Sequence, residues 1–164
     1  MRLVLAALLF VAAVGQACAS DSSLKASLFI TAKGAELFQA WNTNPAGGFS
    51  IVPVKVAQRG EFLSAVVLFS GCAAAKDGNC NALLDITAFD PSGDVYGEFK
   101  EQELWVAKPA PAQGHSQLAV GYMGMVIEPT DPSGEYKVVA KARDLVSGEV
   151  VVAEARFTVE PASS

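Results

Sequence analysis

The chain has 164 residues, 51% hydrophobic and 18% charged, with three cysteines, one histidine and a formal net charge of −5. This apolar content excludes a disordered chain, the cysteines are too few for a disulfide-dense mini-protein, and collagen would need a Gly repeat. One domain is the expected count.

The first residues read as an address. Met1-Arg2 supplies a short positive end, Leu3 to Val14 an unbroken apolar run, and Ala17-Cys18-Ala19 a small-x-small cleavage site, the pattern of a secretory signal peptide over 1–19. About 12 apolar residues fall short of the roughly 20 that span a hydrocarbon core. A lipoprotein anchor at Cys18 would want a branched apolar residue three positions upstream, where Gly15 stands. Cleavage after Ala19 removes Arg2 and no acid, so the net charge moves from −5 to −6. With no basic run anywhere, nucleic acid and anionic membrane surfaces are disfavoured as partners. The expected location is periplasmic or secreted, with no membrane insertion after cleavage.

Residues 20–48 are the least regular part. An early strand is expected near Leu28 to Thr31. Leu37, Phe38 and Trp41 lie at helical spacing within Ala35 to Trp41, and Asn42-Thr43-Asn44-Pro45 closes that helix. This segment should pack Trp41 on the domain that follows.

From Phe49 onward, β-branched and apolar runs alternate with Gly, Pro, Asp and Ser clusters over 49–160, leaving 161–164 as a tail. The expected strands are Ile51 to Ala57, Glu61 to Ser70, Leu83 to Phe89, Val95 to Lys100, Leu104 to Ala107, Leu118 to Glu128, Glu135 to Asp144 and Glu149 to Val159. The fold class is all-β, a two-sheet sandwich of about seven to nine strands. Ala65-Val66-Val67-Leu68-Phe69 is apolar on both faces, so something must cover its outer side, and the segment before the sandwich is the candidate.

Cys72 and Cys80 are the thiols left after cleavage, and an even pair outside the cytoplasm implies one disulfide. Asp77-Gly78 between them lets the chain double back. Asp90-Pro91-Ser92-Gly93 and Asp131-Pro132-Ser133-Gly134 repeat one turn tetrapeptide. Ser147-Gly148 joins the last two strands, which should form the longest hairpin. Pro109 to His115 suits a crossover between sheets.

The stretch Glu128 to Val159 resembles the closing strands of bacterial immunoglobulin-like and fibronectin-type β-sandwich domains: the turn at 131–134, Tyr136 two residues after its Gly, a strand, Ser147-Gly148, then Phe157-x-Val159. The resemblance covers about a fifth of the chain and implies an immunoglobulin-like sandwich with Tyr136 as its tyrosine corner. No cysteine follows Tyr136, and Cys72 and Cys80 cannot form the usual inter-sheet bridge. The likeness implies an architecture and no activity. Domains of this kind in secreted bacterial proteins mostly bind other proteins.

Candidate chemistry is thin. His115 is the lone histidine and sits in the Pro/Ala/Gln/Gly connection, a poor place to hold a base beside a nucleophile. No catalytic residue, metal site or cofactor is assigned. Met123 and Met125 at alternate strand positions, with His115 upstream, would suit Cu(I). Glu98, Glu101 and Glu103 could supply clustered carboxylates to a small secreted hydrolase. Asp85, Asp90, Asp94 and Asp131 lack the spacing of a calcium loop. Trp41, Phe49, Tyr96, Phe99, Trp105 and Tyr122 exceed what the alternating core positions require. A patch of Trp105, Tyr96 and Phe99 is therefore the candidate interface, and the expected function is a non-catalytic module that binds another protein in the envelope or outside the cell.

Overall fold

The computed structural model describes residues 23–43 and 50–161. The signal peptide with Cys18, Phe49 and the last residues of the tail lie outside the described residues. Nine strands and one helix follow in chain order: β1 (Lys25–Thr31), α1 (Gly34–Thr43), β2 (Val56–Ala57), β3 (Phe62–Ser70), β4 (Asn79–Phe89), β5 (Val95–Pro109), β6 (Gln117–Leu118), β7 (Met123–Val126), β8 (Gly134–Asp144) and β9 (Val150–Val159).

Two sheets form. In one, β3 pairs with β1 on one side and with β6 and β7 on the other; the second has the order β2-β9-β8-β4-β5. Every pairing is antiparallel except that of β2 with the end of β9, Val56 opposite Thr158 and Ala57 opposite Val159. The chain is an all-β, immunoglobulin-like two-sheet sandwich, crossing between sheets after β1, β2, β3, β5 and β7 and staying in one sheet at β4–β5, β6–β7 and β8–β9.

Alternation decides what is buried. Leu63, Ala65, Val67 and Phe69 of β3, Met123 and Met125 of β7, Leu84, Ile86 and Ala88 of β4, and Val138, Ala140 and Ala142 of β8 share one buried core. Each fully buried large side chain contributes about 1.5–3 kcal/mol. The opposite face of β3 is covered as expected. α1 lays Leu37, Phe38 and Trp41 against Val66, Leu68 and Leu118. A Cβ at Gly34 would lie 2.2 Å from Ser64 Oγ, so glycine at the helix start permits the close approach. Thr43 Oγ1 donates to the Gln39 carbonyl at 2.9 Å and closes the last turn.

Several expected elements differ. Of Ile51 to Ala57 only the last two residues become strand, because Val54 N–H donates to the Ile30 carbonyl at 2.8 Å and holds the chain against β1 first. Val95 to Lys100 and Leu104 to Ala107 are one strand, β5, which continues through register shifts with Glu101 and Ala107 both at φ 52°. The longest hairpin is consequently β4–β5 and not β8–β9. Leu118 to Glu128 breaks in two, since Val120 and Gly121 donate across to Leu104 and Glu103 of β5. Pro109 to His115 does carry the chain from the five-stranded sheet to the four-stranded one.

Cys72 and Cys80 are joined by a disulfide with Cα atoms 6.0 Å apart. Tyr136 Oη donates to the Pro132 carbonyl at 3.0 Å, which makes the tyrosine corner.

Candidate functional site

The aromatics expected to form an interface do not share a surface. Trp105 and Tyr96 stand nine residues apart on β5, but bulges shorten the strand so that they lie opposite Ala82 and the Ala88–Phe89 step of β4, roughly 20 Å apart, and both rings pack against the core. Trp105 lies 5.6 Å from the Phe69 ring, its indole N–H donates to the Pro109 carbonyl at 2.9 Å, and Lys108 sits over its face. Tyr96 packs edge-on to Tyr136 at 5.3 Å. Its hydroxyl is within hydrogen-bonding reach of Asp131 at 2.6 Å and of the Val126 carbonyl at 2.7 Å. Burial, and then the Asp131 carboxylate, hold the Tyr96 phenol well above its ordinary range. Of the three residues only Phe99 is exposed.

Two more exposed aromatics lie on the outer face of the four-stranded sheet. Phe62 is 53% exposed and Tyr122 is 45% exposed. Phe62 begins the outward row Phe62, Ser64, Val66 and Leu68 of β3, beyond the reach of α1, and its ring covers Gly124 of β7. Tyr122 lies 5.0 Å from Phe38 of the helix. Val120 and Val52 add exposed apolar area. Phe62 escaped the sequence reading because it opens a strand whose other outward residues are covered, and α1 starts over Ser64 and runs away from it.

The copper arrangement is corrected by the geometry. Met123 and Met125 are buried core residues paired opposite Ala65 and Leu63. His115 is exposed and precedes β6, which pairs with Leu68 and Phe69 at the other end of β3. The imidazole and the thioethers therefore do not converge.

Nor do the three glutamates work as a pair. Glu98 bridges to Lys100 at 3.0 Å, Glu101 lies 3.8 Å from Arg143, and Glu103 is bonded to Lys108. The Lys108 ammonium keeps the Glu103 carboxyl below the usual range, the wrong direction for a general acid. The aspartates serve the backbone. Asp90 accepts from the Ser92 and Asp94 N–H groups, Asp131 from that of Glu128, and Asp85 from that of Glu101. Asp144 is buried and accepts from Ala73, Val146 and Ser147 N–H.

Recesses mark the surface of the described residues, three of them at these places. One of about 540 Å³ beside the disulfide has Lys25 as its one charged lining residue. A second, about 420 Å³, lies in the seam between β1 and β9 and includes Glu154 and Arg156. A third, about 220 Å³, lies between α1 and residues 50–52. None of the three is lined by two carboxylates.

No protein-family model matches the chain, and no curated protein matches it. Among solved structures, a family 123 glycoside hydrolase from Clostridium perfringens is similar over 84% of this chain and 27% of its own, at 11% identity and a TM-score of 0.44. A CARDB domain from Pyrococcus furiosus, solved in complex with di-metal ions, matches over 84% of this chain and 90% of its own, at 10% identity and a TM-score of 0.40. An alkylpurine DNA glycosylase from Pseudomonas fluorescens, bound to DNA containing an abasic site analogue, matches over 85% and 31%, at 16% identity and a TM-score of 0.41. The chain thus spans less than a third of the first and third of these. At such scores none of them bears on activity.

Proposed function

We propose that this is an exported, non-catalytic β-sandwich that binds another protein through the helix-flanked aromatic face of its four-stranded sheet. The observation that carries the reading is the exposure of Phe62 and Tyr122 on one sheet face, at 53% and 45%, beside a helix that covers the rest of that face. Aromatic rings are enriched where protein interfaces concentrate their binding energy. Glu98, Glu101 and Glu103, the clustered carboxylates, each face a cation, which does not favour their use as an acid and base pair. The net charge of −5 favours neither nucleic acid nor an anionic membrane. Export rests on the residue pattern of 1–19, and family kinship with secreted bacterial immunoglobulin-like domains on the tyrosine corner and closing turns.

The test is capture of the tagged, exported protein from its native envelope fraction after cross-linking, alongside a Phe62→Ser/Tyr122→Ser variant. One stoichiometric protein with the wild type, absent with a variant of unchanged melting temperature, is expected. Recovery of the same protein with both would overturn the proposed surface. The N-terminus of the captured chain, read by mass spectrometry, should begin at Ser20.

A further inference from the structure

β9 leaves an open edge. It pairs with β8 on one side along its length, but on the other only Thr158 and Val159 are occupied, by β2. Thr158 N–H donates outward to the Lys55 carbonyl at 2.9 Å. Strand groups alternate with a period of two, so the N–H and C=O of Val150, Val152, Glu154 and Arg156 point the same way. No strand among the described residues hydrogen-bonds to them, although β1 of the other sheet runs alongside and Leu24 N–H donates to the Glu149 carboxylate just before β9.

Over Val150–Ala153 that edge lacks the usual defences, its charges Glu154 and Arg156 lying further along. β5, the opposite edge of the same sheet, carries two residues at positive φ, several register shifts and the charges of Glu98, Lys100, Glu101, Glu103 and Lys108. Such features blunt strand addition. β9 offers Val150-Val151-Val152-Ala153 with no proline or bulge, and Val150 and Val152 are 49% and 62% exposed. The seam behind it is open too. The inward residues Val151, Ala153 and Ala155 are only partly buried, whereas Val138, Ala140 and Ala142 of β8 are at 0–1%.

We infer that a second copy of this chain docks here, β9 against β9, about a two-fold axis at Val152. Antiparallel pairing in this register sets Val152 against its own mate and Val150 opposite Glu154 of the second copy. The outward-pointing groups of all these residues then bond to one another. The four exposed valines cluster on the axis, and pairing ends where β2 begins. Charge agrees with the register. Val150 stands beside Arg143, and Val152 beside Lys141, on β8. Each Glu154, 3.0 Å from its own Arg156, therefore enters the row of the other copy's Arg143, itself 3.3 Å from Asp85, with Lys141 on the diagonal.

The full chain should sediment as a dimer that dissociates on dilution, and Val152→Lys, which places two ammonium groups at the axis, should weaken dimerisation tenfold or more, about 1.4 kcal/mol. A hydrogen-bonded antiparallel pair holds its Cα atoms about 5.5 Å apart, within disulfide reach. Val152→Cys should therefore cross-link two chains under mild oxidant much faster than Phe99→Cys on the β5 edge. Monomer at every concentration, a dimer untouched by Val152→Lys, or equal cross-linking at the two positions would each overturn the inference.

Discussion

The Cα of Gly134 rests against the ring of Pro91, so that a Cβ built there would lie 2.8 Å from the proline Cβ, with Gly134 at φ 135°. The two Asp-Pro-Ser-Gly turns, one joining β4 to β5 and the other leading into β8, thus meet at one end of the sandwich. Gly134→Ala meets both backbone strain and a rigid neighbour and should cost about 3 kcal/mol, measured by urea unfolding. Gly93→Ala keeps the strain without the collision, since nothing lies within 4 Å of its Cβ, and should cost less.

α1 approaches β3 at Gly34 and Ser64. Gly34→Ala should lift the helix start and destabilise the protein by about 2 kcal/mol. Ser64→Gly removes both colliding atoms, so the double variant should recover part of that loss despite the added strand glycine. Strictly additive effects in the cycle would mean that the two sites do not touch.

Trp105→Ala should lower stability by about 3 kcal/mol through loss of its packing on Phe69 and the core. Phe99→Ala should change it by less than about 1 kcal/mol. Equal and small effects in chemical denaturation would return Trp105 to the surface.

Tyr96 supplies an alkaline dependence. Its folded pKa is raised, first by burial and then by Asp131, so the contribution is fully present below the unfolded phenol pKa of about 10 and is lost as pH climbs toward the folded value. The melting temperature should therefore fall above about pH 10. Tyr136 shifts in the same direction, chiefly through burial. Tyr96→Phe should cost about 2 kcal/mol at neutral pH and flatten the alkaline decline without abolishing it.

The Cys72–Cys80 bridge closes a short loop, worth about 2.5 kcal/mol on the chain-entropy account. A Cys72→Ala/Cys80→Ala variant should lose about that much in equilibrium unfolding. Thiol titration of the denatured wild-type protein should find neither residue free.

Much of the architecture could be read from the residues alone. Period-two alternation marks the inward faces of β8 and β9, because a strand turns successive side chains to opposite sides. Turn chemistry places the Asp-Pro-Ser-Gly corners, and two cysteines beside an Asp-Gly turn imply their bridge. The approach of Tyr136 Oη to the Pro132 carbonyl follows from four residues of local chain. What tertiary structure decided was exposure. Trp105 is covered by Phe69 from another sheet, Tyr96 by a turn that begins 35 residues later, and Phe62 is left bare because α1 starts over Ser64 and runs away from it. The open edge of β9 depends likewise on Val54 bonding to β1 instead of continuing along β9. Local pattern sets which way a side chain points; only neighbours brought from distant segments determine whether it meets protein or water.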